Sequence, residues 1–241
     1  VGFTVMTCEA NSVLKLAEQV RQTSSAQIVV GGCHASCDPE YFNREQIDWI
    51  VIGLGKQSLR ELIDALENKT EPAVPGIART QPDRKLRWQS RRYTQADLGC
   101  TTAPAYQLVD QYRSEYRLQT LGLQMGLVAT AAGCPYDCNF CCISPLTDGR
   151  YLTAEIDSVV RDVQLLEQTP VIRLVDANSF GNPTHALRLA EALAGAGVKK
   201  QFLADVRSDT VVRQPQLLQR WKEIGLRAVI IGFEEIDDKT L

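Results

Sequence analysis

A dense run of cysteines constrains this chain more than any other feature of its sequence. Four of the eight cysteines lie within nine residues, at Cys134, Cys138, Cys141 and Cys142. Iron–sulfur clusters bind thiolates, and a short loop with three intervening residues and then two can hold three irons of a [4Fe–4S] cluster. The fourth iron then stays open for another molecule. Zinc would need a further Cys or His pair, and none follows at the usual distance. Cys142 is an alternative to Cys141 as the third ligand.

Composition excludes several other classes of protein. The 241 residues are 44% hydrophobic and 23% charged, which is typical of an ordinary globular protein. The net charge of -3 provides no electrostatic attraction for nucleic acid or an anionic membrane. The sequence has no apolar run of about 20 residues and no signal peptide. With cysteines concentrated in one loop, we expect a cytoplasmic protein without a membrane span.

The first 80 residues alternate between strand and helix patterns. Short apolar runs at residues 1–6, 28–30 and 47–52 predict buried strands. Apolar residues at helical spacing over 13–20 and 59–66 predict the intervening helices. This alternation favours an α/β fold with a parallel doubly wound sheet, whose glycine turns line the ligand-binding edge.

The remainder of the chain reads as a linker followed by a second β/α series. Basic and aromatic residues over 81–124 indicate a solvated linker rather than a nucleic-acid patch. After the linker, four strand patterns alternate with helices, which favours a partial (β/α) barrel with its site at the carboxyl ends of the strands. Thr153 is the predicted N-cap of the first helix. The predicted strands are 127–130, 171–175, 201–207 and 228–232, and the predicted helices are 153–167, 184–195 and one containing Leu217, Leu218 and Trp221.

These patterns predict three segments: residues 1–80, a linker at 81–124, and a second domain at 125–241. The chain begins inside a strand pattern and stops in what resembles the opening of a helix, so we expect a piece of a longer protein. The cysteine loop follows the first strand of the second series. Polar residues follow the next three strands, among them Asp176, Asn178, Asp205, Arg207 and Glu234.

The cysteine loop resembles the signature of the radical S-adenosylmethionine (radical SAM) superfamily, C-x3-C-x-aromatic-C, with Phe140 as the aromatic residue. The resemblance implies a [4Fe–4S] cluster on Cys134, Cys138 and Cys141, with SAM chelating the open iron. Reductive cleavage of SAM then gives a 5′-deoxyadenosyl radical that takes hydrogen from a substrate.

The same resemblance implies roles for the polar residues at the strand ends. Asp176 and Asn178 occupy the place where family members often have Gly-Gly-Glu, which holds the amino group of SAM. Arg207 is then expected to meet the carboxylate of SAM, and Glu234 the ribose hydroxyls. The alternative to a role in binding SAM is, for each of these residues, a purely structural role as a strand-end cap or in a surface ion pair.

The first segment resembles the cobalamin-binding domain that precedes the barrel in one radical SAM subgroup. Gly31, Gly32 and Gly53 match glycines whose turns let the backbone approach the nucleotide tail of the corrin. Lys56 ends a Gly-Leu-Gly-Lys run where Gly-Glu-Gly-Glu is more usual, and a cobalt-ligating histidine loop would lie upstream of Val1. A small metal site on Cys33, His34 and Cys37 is disfavoured because these residues do not easily converge from one turn.

Together the resemblances imply a cobalamin-dependent radical SAM enzyme. Its expected chemistry is methyl transfer, or cyclisation or rearrangement, at an unactivated position of a small-molecule substrate. An external reductant such as a flavodoxin or ferredoxin is the expected partner, and nucleic acid is not. The alternatives are an iron–sulfur electron carrier or redox sensor without SAM chemistry, and a radical SAM enzyme without cobalamin.

Overall fold

A computed structural model describes residues 1–98, 102–118 and 122–233. Short 3₁₀ segments cover Thr7–Glu9, Pro39–Phe42, Gln95–Leu98 and Tyr106–Glu115. The strands are β1 (Gly2–Thr4), β2 (Val29–Gly31), β3 (Trp49–Val51), β4 (Ile77–Arg79), β5 (Arg117–Leu118), β6 (Leu123–Val128), β7 (Ala131–Gly133), β8 (Tyr151–Thr153), β9 (Val171–Leu174), β10 (Gln201–Asp205) and β11 (Leu226–Ile230). The helices are α1 (Ala10–Thr23), α2 (Cys33–Cys37), α3 (Gly55–Glu67), α4 (Ile143–Leu146), α5 (Ile156–Leu165), α6 (Pro183–Gly195), α7 (Ser208–Arg213) and α8 (Pro215–Glu223).

The chain divides into two compact units. The first unit comprises Val1–Tyr93 and Tyr136–Arg150, and the second comprises Thr94–Pro135 and Tyr151–Leu241. The segment Tyr136–Arg150 therefore groups with the N-terminal part of the chain, although it follows the first strand of the second β/α series. The predicted domain limits stay predictions.

The first unit contains a sheet of order β1-β2-β3-β4, parallel except for the last strand. Successive residues of β3 point to opposite faces, so Ile50 packs in one apolar cluster and Val51 in another. Val13 of α1 joins the Ile50 cluster, whereas Leu62 of α3 joins the Val51 cluster. Helices therefore cover both faces of the sheet, which explains why its strands are almost continuously apolar.

The second unit is built on a sheet of order β11-β10-β9-β6-β5. The strands β6, β9, β10 and β11 run parallel, and β5 is antiparallel to β6. Trp221 of α8 is fully buried against Phe180 and Phe202, and its indole N–H donates to the carbonyl of Ala186 at 3.0 Å. Truncating a buried aromatic side chain of this kind costs about 3–5 kcal/mol, so this contact fixes α8 on the sheet.

The parallel strands of both units confirm the predicted β/α alternation, and the chain has an α/β fold. One local prediction differs from the structure. Thr153 is not the N-cap of α5, because residues 151–153 pair as a strand with residues 131–133, and Glu155 occupies the N-cap position. The antiparallel strand β4 was not predicted. Within the described ranges, no helix is long and apolar enough to cross a membrane.

Candidate functional site

The cysteine loop begins where β7 ends. Gly133 closes β7 with a φ of 79°, a conformation that favours glycine, and Cys134 follows it directly. Further along, the N–H of Cys141 donates to the carbonyl of Cys138 at 3.0 Å, and the N–H of Ile143 reaches the Cys141 sulfur at 3.5 Å. Cys134, Cys138 and Cys141 are all partly exposed, and none of them forms a disulfide.

The three predicted cluster ligands are divided between the two compact units. Cys134 belongs to the second unit, whereas Cys138 and Cys141 belong to the first. Across the described ranges, no three His, Cys, Asp or Glu side chains converge as they would around a single metal ion. The ligands of a [4Fe–4S] cluster bind different irons, so their sulfur atoms stand further apart than ligands of one ion. The assignment of these three ligands stays a prediction, as does the role of Phe140, whose side chain is 66% exposed.

Cys142 lies close to two other cysteines of the first unit, Cys33 and Cys37. Helix α2, which contains Cys33 and Cys37 one turn apart, packs against α4, of which Cys142 is the N-cap residue. The pKa of both Cys33 and Cys37 is raised mainly by burial and next by the nearby Cys142. The His34 ring contacts Thr7: its Nδ1 lies 3.2 Å from the Thr7 hydroxyl. The sequence signal for this pair of thiols was the Cys-x3-Cys spacing of Cys33 and Cys37. That spacing places two thiols on one face only if the segment is helical.

Asp176 joins the end of β9 to the start of the cysteine loop. Its Oδ1 accepts the backbone N–H groups of Thr130 at 2.7 Å and of Ala131 at 2.8 Å. Its Oδ2 accepts the Thr130 hydroxyl at 2.6 Å. Burial raises the pKa of Asp176, and these hydrogen bonds lower it by less. The three donors occupy three of the about four acceptor sites of a carboxylate.

Asn178 is a predicted site residue that lies beside Cys134, one of the predicted cluster ligands. Its side chain is 1% exposed, and its Nδ2 lies 3.9 Å from the Cys134 sulfur. Its Oδ1 is buried and has no hydrogen-bond partner in the described part of the chain. A buried polar atom of this kind normally has a partner, so Oδ1 is a ready acceptor for a ligand donor.

The surroundings of Asn178 were not anticipated from the sequence. The hydroxyl of Tyr151 donates to the Asn178 carbonyl at 2.8 Å, and burial raises the pKa of this tyrosine. A Cβ atom at Gly181 would lie 2.8 Å from the Tyr151 ring and 3.1 Å from Asn178 Nδ2. Only glycine therefore leaves room for both side chains. No sequence spacing links Tyr151 to Asn178, because a helix and a strand separate them.

The other predicted residues of the barrel segment have local partners or fall outside the description. Arg207 Nε pairs with Asp209 Oδ1 at 3.1 Å, and both side chains are partly exposed. Asp205 pairs with Arg173 at 2.5 Å, although burial still raises the pKa of this aspartate. Glu234 lies outside the described residues. Roles for Arg207 and Glu234 in binding SAM therefore stay predictions.

The three predicted glycines lie at the carboxyl ends of strands in the first unit. Gly32 has a φ of 104°, and a Cβ there would lie 2.8 Å from Thr4 Oγ1 and from the Val5 nitrogen. Gly53 has a φ of 86°, and a Cβ there would clash with the Tyr93 hydroxyl. Gly31 has ordinary backbone geometry, and a Cβ there would lie 3.2 Å from Val51 Cβ. Glycine is thus required sterically at Gly32 and Gly53, whatever ligand this edge binds.

Comparison with known proteins finds relatives of this chain in sequence and in fold. No model of a protein family matches the chain. The chain is 30% identical over 138 residues to the hopanoid C-3 methylase of Methylococcus capsulatus, covering 57% of this chain and 26% of that protein. It is 25% identical over 207 residues to the anaerobic magnesium-protoporphyrin IX monomethyl ester cyclase of Synechocystis, covering 81% and 39% respectively.

A solved structure has a similar fold over nearly the whole chain. The radical SAM methyltransferase TsrM from Kitasatospora setae, solved with cobalamin and a [4Fe–4S] cluster, superposes with a TM-score of 0.80 at 20% identity. The match covers 99% of this chain and 49% of TsrM. The fold of the chain is therefore similar to that of a cobalamin-binding radical SAM enzyme. The chain spans about half or less of the length of the proteins that it matches.

The contacts of Asp176 and Asn178 differ within the site. These two polar residues belong to an Asp-Ala-Asn motif that follows β9. Asp176 directs its oxygens at Thr130 and Ala131, and Asn178 directs its amide at Cys134. Although they are only two positions apart, Asp176 therefore contacts backbone N–H groups and Asn178 contacts a cysteine sulfur.

Proposed function

We propose that the protein containing this chain is a radical SAM enzyme that binds a [4Fe–4S] cluster, SAM and cobalamin. The observation that carries the proposal is the pairing of the Cys134 sulfur with the buried amide of Asn178, whose Oδ1 lacks a partner in the described residues. This pairing occurs where the cysteine loop follows β7, shortly after strand β6 of the parallel sheet, in a chain with relatives that are methylases and cyclases.

In this proposal Cys134, Cys138 and Cys141 hold the cluster, and one iron stays open for SAM. When bound, these cofactors supply reductive cleavage of SAM and radical chemistry, either methyl transfer or ring closure, at an unactivated position. Asn178 would hold SAM by its amino group, because its buried Oδ1 is an acceptor without a partner in the described residues. Asp176 holds the start of the cysteine loop in place, so that Cys134 keeps its position beside Asn178.

The first unit is proposed to be the carboxyl-terminal part of a Rossmann-like cobalamin-binding domain. Its parallel strands end in the turns at Gly31, Gly32 and Gly53, and the carboxyl edge of such a sheet is where ligands bind. The second unit is then the first part of a radical SAM barrel. We further propose a small-molecule substrate, an external one-electron reductant such as a flavodoxin or ferredoxin, and a cytoplasmic location, where thiols stay reduced.

Anaerobic reconstitution of the full-length protein tests this function. Iron and sulfide are added, the cluster is reduced, and its electron paramagnetic resonance spectrum is recorded with and without SAM. A spectrum that changes on adding SAM is expected if one iron is open to the ligand. An unchanged spectrum would instead identify an iron–sulfur electron carrier or sensor. A separate reconstitution with cobalamin should yield the corrin absorption band, and its absence would remove cobalamin from the proposal.

A further inference from the structure

The amide of Asn178 contacts the sulfur of Cys134 in a setting that fixes its orientation. Nδ2 lies 3.9 Å from the sulfur, within the distance of a weak N–H···S hydrogen bond, and the side chain is 1% exposed. The reverse orientation would bring Oδ1 towards the sulfur and set an acceptor against a thiolate. Only the observed orientation gives the sulfur a donor.

Two neighbours keep this side chain from turning away. The Tyr151 hydroxyl holds the Asn178 carbonyl at 2.8 Å, which anchors the backbone of the residue. The missing side chain at Gly181 leaves the space that Nδ2 and the Tyr151 ring fill. Because the amide is buried, a donor here interacts with the sulfur more strongly than an exposed one would.

We infer that Asn178 is a positioning and tuning residue that raises the reduction potential of the cluster through a hydrogen bond to the Cys134 thiolate. The inference rests on the proposed cluster ligands. Reduction adds one electron to the cluster and increases the negative charge on its sulfur ligands. A donor at the sulfur therefore stabilises the reduced form more than the oxidised form, and hydrogen bonds to cluster sulfurs are an established control of the potential.

The test is a redox titration of the reconstituted full-length protein without SAM. Asn178→Leu keeps the branched outline of the side chain and has no donor, and we expect it to keep its iron. At a fixed potential near the midpoint, its ratio of reduced to oxidised cluster should fall about tenfold, which corresponds to about 59 mV for a one-electron couple. Asn182→Ala is the matched control, because it removes the N-cap of α6 and leaves the pair of Asn178 and Cys134 intact.

Asn178→Asp provides a second variant of the same shape, and its ionised side chain also lacks a donor. We expect its potential to fall at least as far as that of Asn178→Leu. A wild-type potential in either variant with a full cluster would overturn the inference, as would a shift of the same size in Asn182→Ala. Loss of iron from both variants would show a purely structural role and would equally overturn it. A wild-type protein that assembles no cluster would instead refute the proposed function.

Discussion

Replacing Asp176 with alanine should destabilise the second unit through two backbone groups rather than through a lost ligand. The N–H groups of Thr130 and Ala131 lose their acceptor at 2.7 and 2.8 Å. A buried donor without a partner costs about 1–3 kcal/mol, so two of them cost about 4 kcal/mol. Removing a buried carboxylate whose pKa is raised by burial offsets part of this cost. The expected net loss is about 2–4 kcal/mol, roughly one and a half to three powers of ten in the ratio of folded to unfolded protein.

Asp176→Asn is the matched comparison because it keeps the shape of the side chain. Its single amide oxygen can still accept both backbone N–H groups, as Oδ1 does in the wild type. Its Nδ2 would face the Thr130 hydroxyl, which can rotate from donor to acceptor. The expected loss is about 1 kcal/mol or less, since no buried donor is left unpaired.

Denaturant unfolding followed by tryptophan fluorescence measures both losses. Trp221 is buried in the second unit, whereas the other two tryptophans, Trp49 and Trp88, lie in the first. A background in which Trp49 and Trp88 are phenylalanine therefore reports on the second unit. The reasoning is refuted if Asp176→Ala loses less than about 1 kcal/mol, or if Asp176→Asn loses as much as Asp176→Ala.

Three further measurements probe other parts of the chain. Because burial raises its folded-state pKa, Asp176 should stabilise the wild type relative to Asp176→Asn most below its unfolded pKa, about 3.9. That advantage should be lost as the pH rises through the folded-state pKa. A difference in unfolding free energy between the wild type and Asp176→Asn that does not change with pH would contradict this prediction. Cys138→Ala should abolish iron binding after reconstitution while Cys142→Ala keeps most of the iron, and equal iron losses would show that the ligand assignment is wrong. Gly32→Ala should lower the unfolding midpoint more than Gly31→Ala, because a φ of 104° costs a non-glycine residue about 1–3 kcal/mol; equal midpoints would argue against this.

The succession of strands and helices could be predicted because it depends on local patterns. The β-branched run at residues 28–30 became β2, and the apolar stripe with Leu62 became α3. Two features escaped prediction because they depend on partners distant in sequence. Strand β4 is three residues long and exists through pairing with β3, and Thr153 is drawn into a strand by Ala131.

The candidate site could be located from the sequence but its contacts could not be assigned. The rule that parallel strands end at one edge placed Asp176 and Asn178 near the cysteine loop. Whether each side chain faces a backbone N–H or a sulfur depends on local backbone direction, which composition and spacing do not encode. The approach of Cys142 to Cys33 depends likewise on the packing of α2 against α4.

The pairing of β7 with β8 closes the base of the cysteine loop, so the loop can be exchanged as one segment. Gly133 and Tyr151 are register partners in this antiparallel ladder, so the chain leaves and re-enters the second unit at adjacent points. Antiparallel partners can be joined by a two-residue hairpin, so residues 134–150 are not needed to connect β7 to β8. Loops of other lengths and ligand spacings can therefore be grafted between these two strands.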